Sequence, residues 1–202
     1  MRIIEQFEHS DEHKLFLKKE SLVRPEYFFR PYGVHGMLHA KRVLLIAMIL
    51  AKVDGLTERE RNILALCSIY HDIGRKHDGY CTKHGRYSYI KAKKLGLLDG
   101  YSKEDLAIAE FIIEEHCIDD DRAKVKLAAY QGADTAAMGK LYNYFCDCDS
   151  LDRVRLGWLY KLDESYLRTV AARKIVPLTH EIYNNWDDIY ARLREAYCEI
   201  AK

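Results

Sequence analysis

Nine histidines occur in this 202-residue chain, and some of them stand where an ionisable side chain is out of place. His39 precedes Val43, Ile46 and Leu50 by four, seven and eleven residues, so a helix would carry all four on one face. His71 follows Ile63 and Cys67 in steps of four, and His116 follows Leu106, Ala109 and Ile113 on an apolar side. Asp149 follows Leu141 and Phe145 in the same way. An ionisable group that faces a core is costly unless it is paired, hydrogen-bonded or bound to a metal. One histidine in such a place is ordinarily a satisfied core residue. A carboxylate is harder to explain, because its ionised form needs strong compensation. Asp72, next to His71, and Asp149 can both offer negative charge to a cation. Three imidazoles and two carboxylates on the inward faces of separate helices describe a metal centre inside a bundle. Imidazole with carboxylate suits iron, manganese, zinc or nickel better than calcium.

The elements that must position these groups read as helices. Only three prolines occur, Pro25, Pro31 and Pro177, and the stretches between them carry helical periodicity without sustained alternation. The first 30 residues form a polar segment with some helix. A helix is expected from about Gly36 to Val53, ended by Asp54-Gly55. Thr57 and Glu60 fit a capping box that opens the next helix, which runs through Tyr70. Gly74 is a candidate stop in a left-handed conformation. Arg75 to Lys83 is rich in turn residues. Helices follow from Arg86 to Leu95, from Ser102 through His116 and from Ala136 to Leu151, with a loop or new helix start at Asp119-Asp120-Asp121. Two more are expected near Glu164–Ile175 and Pro177–Ala201. The fold class is therefore all-α, with short connections.

Composition narrows the function classes. Hydrophobic residues make up 49% of the chain, enough for a real core and against disorder. Thirty-two basic and 31 acidic residues leave a net charge of +1, so no global field gathers a nucleic acid polymer or an anionic membrane. Val43 to Ala51, the longest apolar run, is short of the roughly 20 residues a bilayer needs. Met1-Arg2-Ile3-Ile4-Glu5 lacks the apolar segment of a secretory signal, and a cytoplasmic protein is expected. The six cysteines form no C-x2-C pair and read as free thiols. Lys91, Lys93 and Lys94 read as a solvated helix face. Tyr80, Tyr87 and Tyr89 flank the turn-rich segment and could stack on a base, although tyrosines serve packing as often. His9, His13, His77 and His180 have polar neighbours and read as surface residues. His35 is given no ligand role.

The order of the motifs adds to this reading. His39-Ala40-Lys41-Arg42-Val43, then Tyr70-His71-Asp72-Ile73-Gly74-Arg75, then Cys148-Asp149-Ser150-Leu151-Asp152, resembles the HD-domain superfamily of metal-dependent phosphohydrolases, over roughly Gly33 to Arg155. The resemblance implies a helical bundle of the HD type over 31–202, preceded by a helical and polar extension, 1–30. It matches His39, His71, Asp72 and Asp149 to four metal ligands. His84 and His116 match further ligand positions of two-metal members. One or two divalent ions follow, chosen among Fe, Mn, Ni, Zn, Co and Mg, with Asp72 bridging if there are two. If there is one, His84 and His116 position substrate or transfer protons.

Three departures bear on the substrate. Cys117 stands where the cyclic-dinucleotide branch has a second consecutive histidine. The Gly-Tyr-Pro motif of that branch is absent, with Gly79-Tyr80-Cys81 a partial echo, so cyclic di-GMP hydrolysis is disfavoured. Arg75 stands where one-metal nucleotidases have a glutamate. The expected reaction is attack of a metal-activated water on the phosphate ester of a small molecule, a nucleotide in the leading reading. Asp72 or His84 would manage the proton, and Arg75, Lys83 and Arg42 would meet the phosphate. Two alternatives stand beside it: a mixed-valent di-iron oxygenase on the same scaffold, and a metal-stabilised ligand-binding or regulatory module without catalysis. A second copy of the chain is left open as a partner.

Overall fold

The computed structural model describes residues 2–132, 134–157 and 162–200. Ten α-helices run through them in chain order: α1 Arg2–Phe7, α2 Asp11–Glu20, α3 Met37–Val53, α4 Glu58–Tyr70, α5 His84–Lys94, α6 Lys103–Glu115, α7 Asp120–Ala128, α8 Thr135–Leu151, α9 Val170–Asn184 and α10 Trp186–Ile200. Among the described residues there is no strand, and no helix is long and apolar enough to cross a membrane.

The apolar run of the sequence becomes the axis of the fold. Every residue of α3 from Val43 to Ala51 is buried, so this helix has no solvent face over that span. Helices α2, α4, α8 and α9 pack around it, and α6 closes on α4 and α8. Helices α1 and α2 join the same core, because Ile4, Phe7 and Phe16 are buried in it.

Local chemistry sets most boundaries. Thr57 accepts from the Glu60 amide and Glu60 accepts from the Thr57 amide, which completes the expected capping box. Ser102 and Asp119 cap α6 and α7 in the same sense. Gly55 and Gly96 take left-handed conformations just past α3 and α5.

Gly74 differs from expectation. Helix α4 ends at Tyr70 with His71 as its cap, and Gly74 is not left-handed. Its bare Cα instead admits a neighbour, since a Cβ there would lie 2.1 Å from the Ser88 backbone nitrogen. Gly85 plays the same part at the start of α5, where a Cβ would meet the Ile113 carbonyl oxygen at 2.1 Å. These two glycines let α5 press against the end of α4 and the end of α6.

The C-terminal third also departs from the expected boundaries. Glu164–Tyr166 is a single 3-10 turn, and α9 runs through Pro177. Proline removes one backbone donor from the helix, a cost of about 3 kcal/mol or more. The stripe of Ala171, Ala172, Ile175, Leu178, Thr179 and Ile182 is buried on both sides of it, which holds the helix together. The break falls at Asn185 instead. Ala201, the expected end of the last helix, lies outside the described residues.

His13, expected at the surface, is fully buried. Its Nε2–H donates to the Leu193 carbonyl at 2.8 Å, its Nδ1 accepts from the His9 amide at 3.1 Å, and its ring packs on Phe7. Asp11 and Lys14 are exposed, while His13 shares the inner face of α2 with Phe16.

Candidate metal centre

His39 lies in the first turn of α3, His71 caps the end of α4, His84 opens α5, His116 caps the end of α6 and Asp149 lies in the last turn of α8. Five helices thus bring one group each to a single place, and Asp72 follows directly on His71. The aim of each ring is set locally. His71 turns Nδ1 onto the Ser68 carbonyl at 3.1 Å, His84 onto the Cys81 carbonyl at 2.7 Å and His116 onto the Ile113 carbonyl at 2.7 Å, each three residues back. At the ends of α4 and α6 these are carbonyls of the last turn, which need a donor from outside the helix ladder. His39 turns Nδ1 onto Asp152 at 2.8 Å.

With Nδ1 engaged on all four rings, the Nε2 atoms converge. Those of His39 and His71 are 3.0 Å apart, and those of His84 and His116 are 2.9 Å apart. Asp72 divides its two oxygens between the pairs. Oδ2 lies 3.6 Å from both His39 and His71, whereas Oδ1 lies 3.1 Å from His84 and 3.9 Å from His116. Asp149 Oδ1 completes the first pair, 3.2 Å from His39 and 3.9 Å from His71. The other five side chains are almost wholly buried, but that of Asp149 is 31% exposed, so the cluster meets solvent on its side.

The electrostatics follow from this crowding. Burial opposes ionisation of Asp72, but His71, His84 and the Arg75 guanidinium hold it well below the usual carboxylate range. Burial likewise opposes Asp149, which His39, His71 and His116 hold well below that range. Burial works against protonated His84, yet its hydrogen bonds to Asp72 and Cys117 push it up to about 10. Burial, with the neighbouring charges of His84 and His71, pushes His116 down to about 3. With each Nδ1 already held, the four Nε2 atoms face one another in two pairs at hydrogen-bond distance, beside carboxylates kept ionised. Imidazoles anchored through Nδ1 and aimed at one place together with ionised carboxylates form a donor set that fits a divalent cation.

The structure brings together all six expected metal ligands. Arg75 joins them: its Nε donates to Asp72 Oδ1 at 2.7 Å, and its Nη2 lies 3.3 Å from His84 Nε2. Lys83 is exposed beside His84 at the start of α5. Arg42, expected at the phosphate, lies instead behind His39. It is buried, gives Asp152 two hydrogen bonds at 2.6 and 3.1 Å and stacks on Tyr183. A guanidinium fork that matches a buried carboxylate in this way is committed to it.

Asp152 stands in the last sequence motif without a place at the centre, and the structure puts it directly behind His39. It is 1% exposed and supports His39 from behind while Arg42 and Arg155 neutralise it. Its signal was its place three residues after Asp149, one helical turn on. Cys117 also belongs to the neighbourhood, forming with His84 and His116 a group of donors within 4.8 Å of one another. His35 overhangs the site without joining it, its ring 6.0 Å from that of His39 and its Nδ1 3.5 Å from Asp78.

A family model described as HD domain matches residues 37–154, from the first residue of α3 to just beyond α8, and so spans all six ligand positions. No curated protein and no solved structure matches the chain.

Proposed function

The chain belongs to the HD domain family, and on that premise we propose that it is a metal-dependent phosphohydrolase acting on a phosphate ester of a small molecule, with a nucleotide as the leading substrate class. The observation that carries this reading is Asp72, whose two oxygens face different histidine pairs. A carboxylate so placed can bridge two cations, one beside His39, His71 and Asp149 and the other beside His84 and His116. Bound there, divalent ions would supply a water with a pKa lowered toward about 7 and would polarise a phosphoryl oxygen.

The chain's own residues do the rest. Asp149 marks the open side, through which a substrate can reach the buried histidines. Arg75 is fixed at Asp72 and His84 and carries a positive charge that can pair with phosphate oxygens beside the metal positions. Asp72 and His84 share a short contact through which a proton can pass at Asp72 Oδ1. Arg42, Asp152 and Arg155 hold His39 from behind and do not touch substrate. Lys83, exposed next to His84, remains a candidate for a second phosphate contact.

The test uses protein purified without chelators or an affinity metal. Elemental analysis should return one or two equivalents of a divalent transition metal. Phosphomonoesters and diesters, nucleotides among them, are then offered with manganese, iron, cobalt, nickel or magnesium. Phosphate release with at least one pairing, lost in Asp72→Asn, supports the reading. Metal-loaded protein that releases phosphate from none of them overturns it.

A further inference from the structure

We propose that Cys117 supplies a thiolate ligand to the second metal position, making the two halves of the centre chemically unlike. The inference rests on the metal-binding part of the reading above and goes beyond it in the identity of a ligand.

The geometry points this way. One nitrogen each of His84 and His116 and the Cys117 sulfur lie within 4.8 Å of one another. The Nδ1 atoms of both rings are already spent on carbonyls, so the nitrogens free for an ion are the Nε2 pair, 2.9 Å apart. Donors that share one ion at about 2.0–2.3 Å stand roughly 3–4 Å from one another in a tetrahedron. The cluster is therefore close to that shape, and a modest movement of the sulfur closes it. Little opposes that movement: Cys117 Sγ has a weak contact at 3.8 Å with the Glu114 carbonyl. Asp72 Oδ1, 3.1 Å from His84, gives the fourth donor. The resulting set is two imidazoles, one thiolate and one carboxylate oxygen.

The first position differs. Around His39 and His71 the remaining donors are carboxylate oxygens, from Asp72 and Asp149, and the group of donors within 4.8 Å there, His39, His71 and Asp72, contains no sulfur. Soft thiolate favours zinc, iron or cobalt, whereas an oxygen-rich site tolerates magnesium and manganese. The Cys117 position is therefore expected to hold the softer ion and to hold it more tightly against magnesium.

Cobalt-substituted full-length protein tests this directly. Two equivalents of cobalt should produce a sulfur-to-cobalt charge-transfer absorption in the near ultraviolet. Cys117→Ser should lose that band, and Cys117→His should lose it while still binding two equivalents. Cys198→Ser, which changes an exposed cysteine of α10, should keep it. Affinity of the second cobalt in Cys117→Ser should fall by more than the roughly 10–100-fold that altering a supporting residue costs. Circular dichroism of each variant guards against loss of the fold, and Cys117→His serves if the serine variant does not fold. Absence of the band in cobalt-loaded wild type, or a band that survives both Cys117 variants, overturns the proposal. The readout does not need turnover. A protein that shows the Cys117-dependent band but hydrolyses no phosphate ester would sink the hydrolase reading and leave this one standing, and active protein without the band would do the reverse.

Discussion

Asp152→Asn removes one charge and leaves the shape of the side chain nearly unchanged, yet it should damage both stability and metal binding. Asp152 is 1% exposed and holds three groups: Arg42 through two bonds, His39 Nδ1 at 2.8 Å and Arg155 Nη1 at 3.3 Å. An asparagine has one acceptor oxygen where the carboxylate has two, and its amide N–H groups must face either Arg42 or His39, both donors here. Arg42 and Arg155 are left as buried cations without a counter-charge. Losing one partner of a buried pair costs about 3–5 kcal/mol. At roughly 2–4 °C per kcal/mol for a chain of this size, Tm should fall by about 6–20 °C.

The second effect concerns His39. Its tautomer and orientation depend on Asp152, and altering such a support typically costs about 10–100-fold in metal affinity. The two effects are separable. Thermal or urea unfolding in the presence of a chelator reads the first without metal linkage. Competition against a chromophoric chelator at a temperature where both proteins are folded reads the second. Pairing Asp152→Asn with Arg42→Met should recover part of the lost stability and none of the lost affinity. A variant whose Tm and metal affinity both match wild type would refute the role assigned to Asp152, and with it the account of why Arg42 is buried.

Gly85→Ala should separate the two metal positions, because the new Cβ would sit 2.1 Å from the Ile113 carbonyl and push α5 from α6; elemental analysis should then show loss of the metal held by His84 and His116 before that held by His39 and His71. Burial lowers the pKa of His13 below its ordinary 6.5, so the unfolded chain binds the extra proton and stability is lost as pH falls through about 6.5 toward the folded value. His13→Gln lacks that loss. Its urea midpoint should therefore gain on wild type as pH drops from 7.5 to 5.5, and a constant gap would count against a neutral buried His13. Thr57→Ala removes the cap of α4 and should cost about 1 kcal/mol by urea unfolding; a change within error would mean that the box is not formed in solution.

Much of the centre was legible in the order of residues. An imidazole or carboxylate on an apolar helical face is a local conflict, and His39, His71, His116 and Asp149 each announce one within about ten residues of chain. Helix starts were legible for the same reason, since Thr57 with Glu60 acts across three residues and Ser102 caps the helix it was expected to start. The errors fall where distant parts decide. Pro177 ends a helix by local rules, but a buried stripe on both sides overrides them. His13 reads as polar until α10 closes on it and offers the Leu193 carbonyl. Gly74 reads as a stop until the proximity of Ser88 shows that it makes room for α5.

The amino-acid order alone determined that this chain forms helices, that one of them, α3, carries its longest apolar run, and that imidazoles and carboxylates would face inward from several of them. Those facts depend on side-chain type and a period of 3.6, which short segments carry by themselves. Tertiary structure alone decided that Asp72 splits its oxygens between two histidine pairs, that Arg42 serves Asp152 rather than the opening, and that Cys117 sits beside His84. Asp72 and His84 are 12 positions apart, Asp72 and His39 33, and Arg42 and Asp152 110, and the distance across each pair is set by how α3, α4, α5, α6 and α8 pack. No local preference encodes a distance across a core.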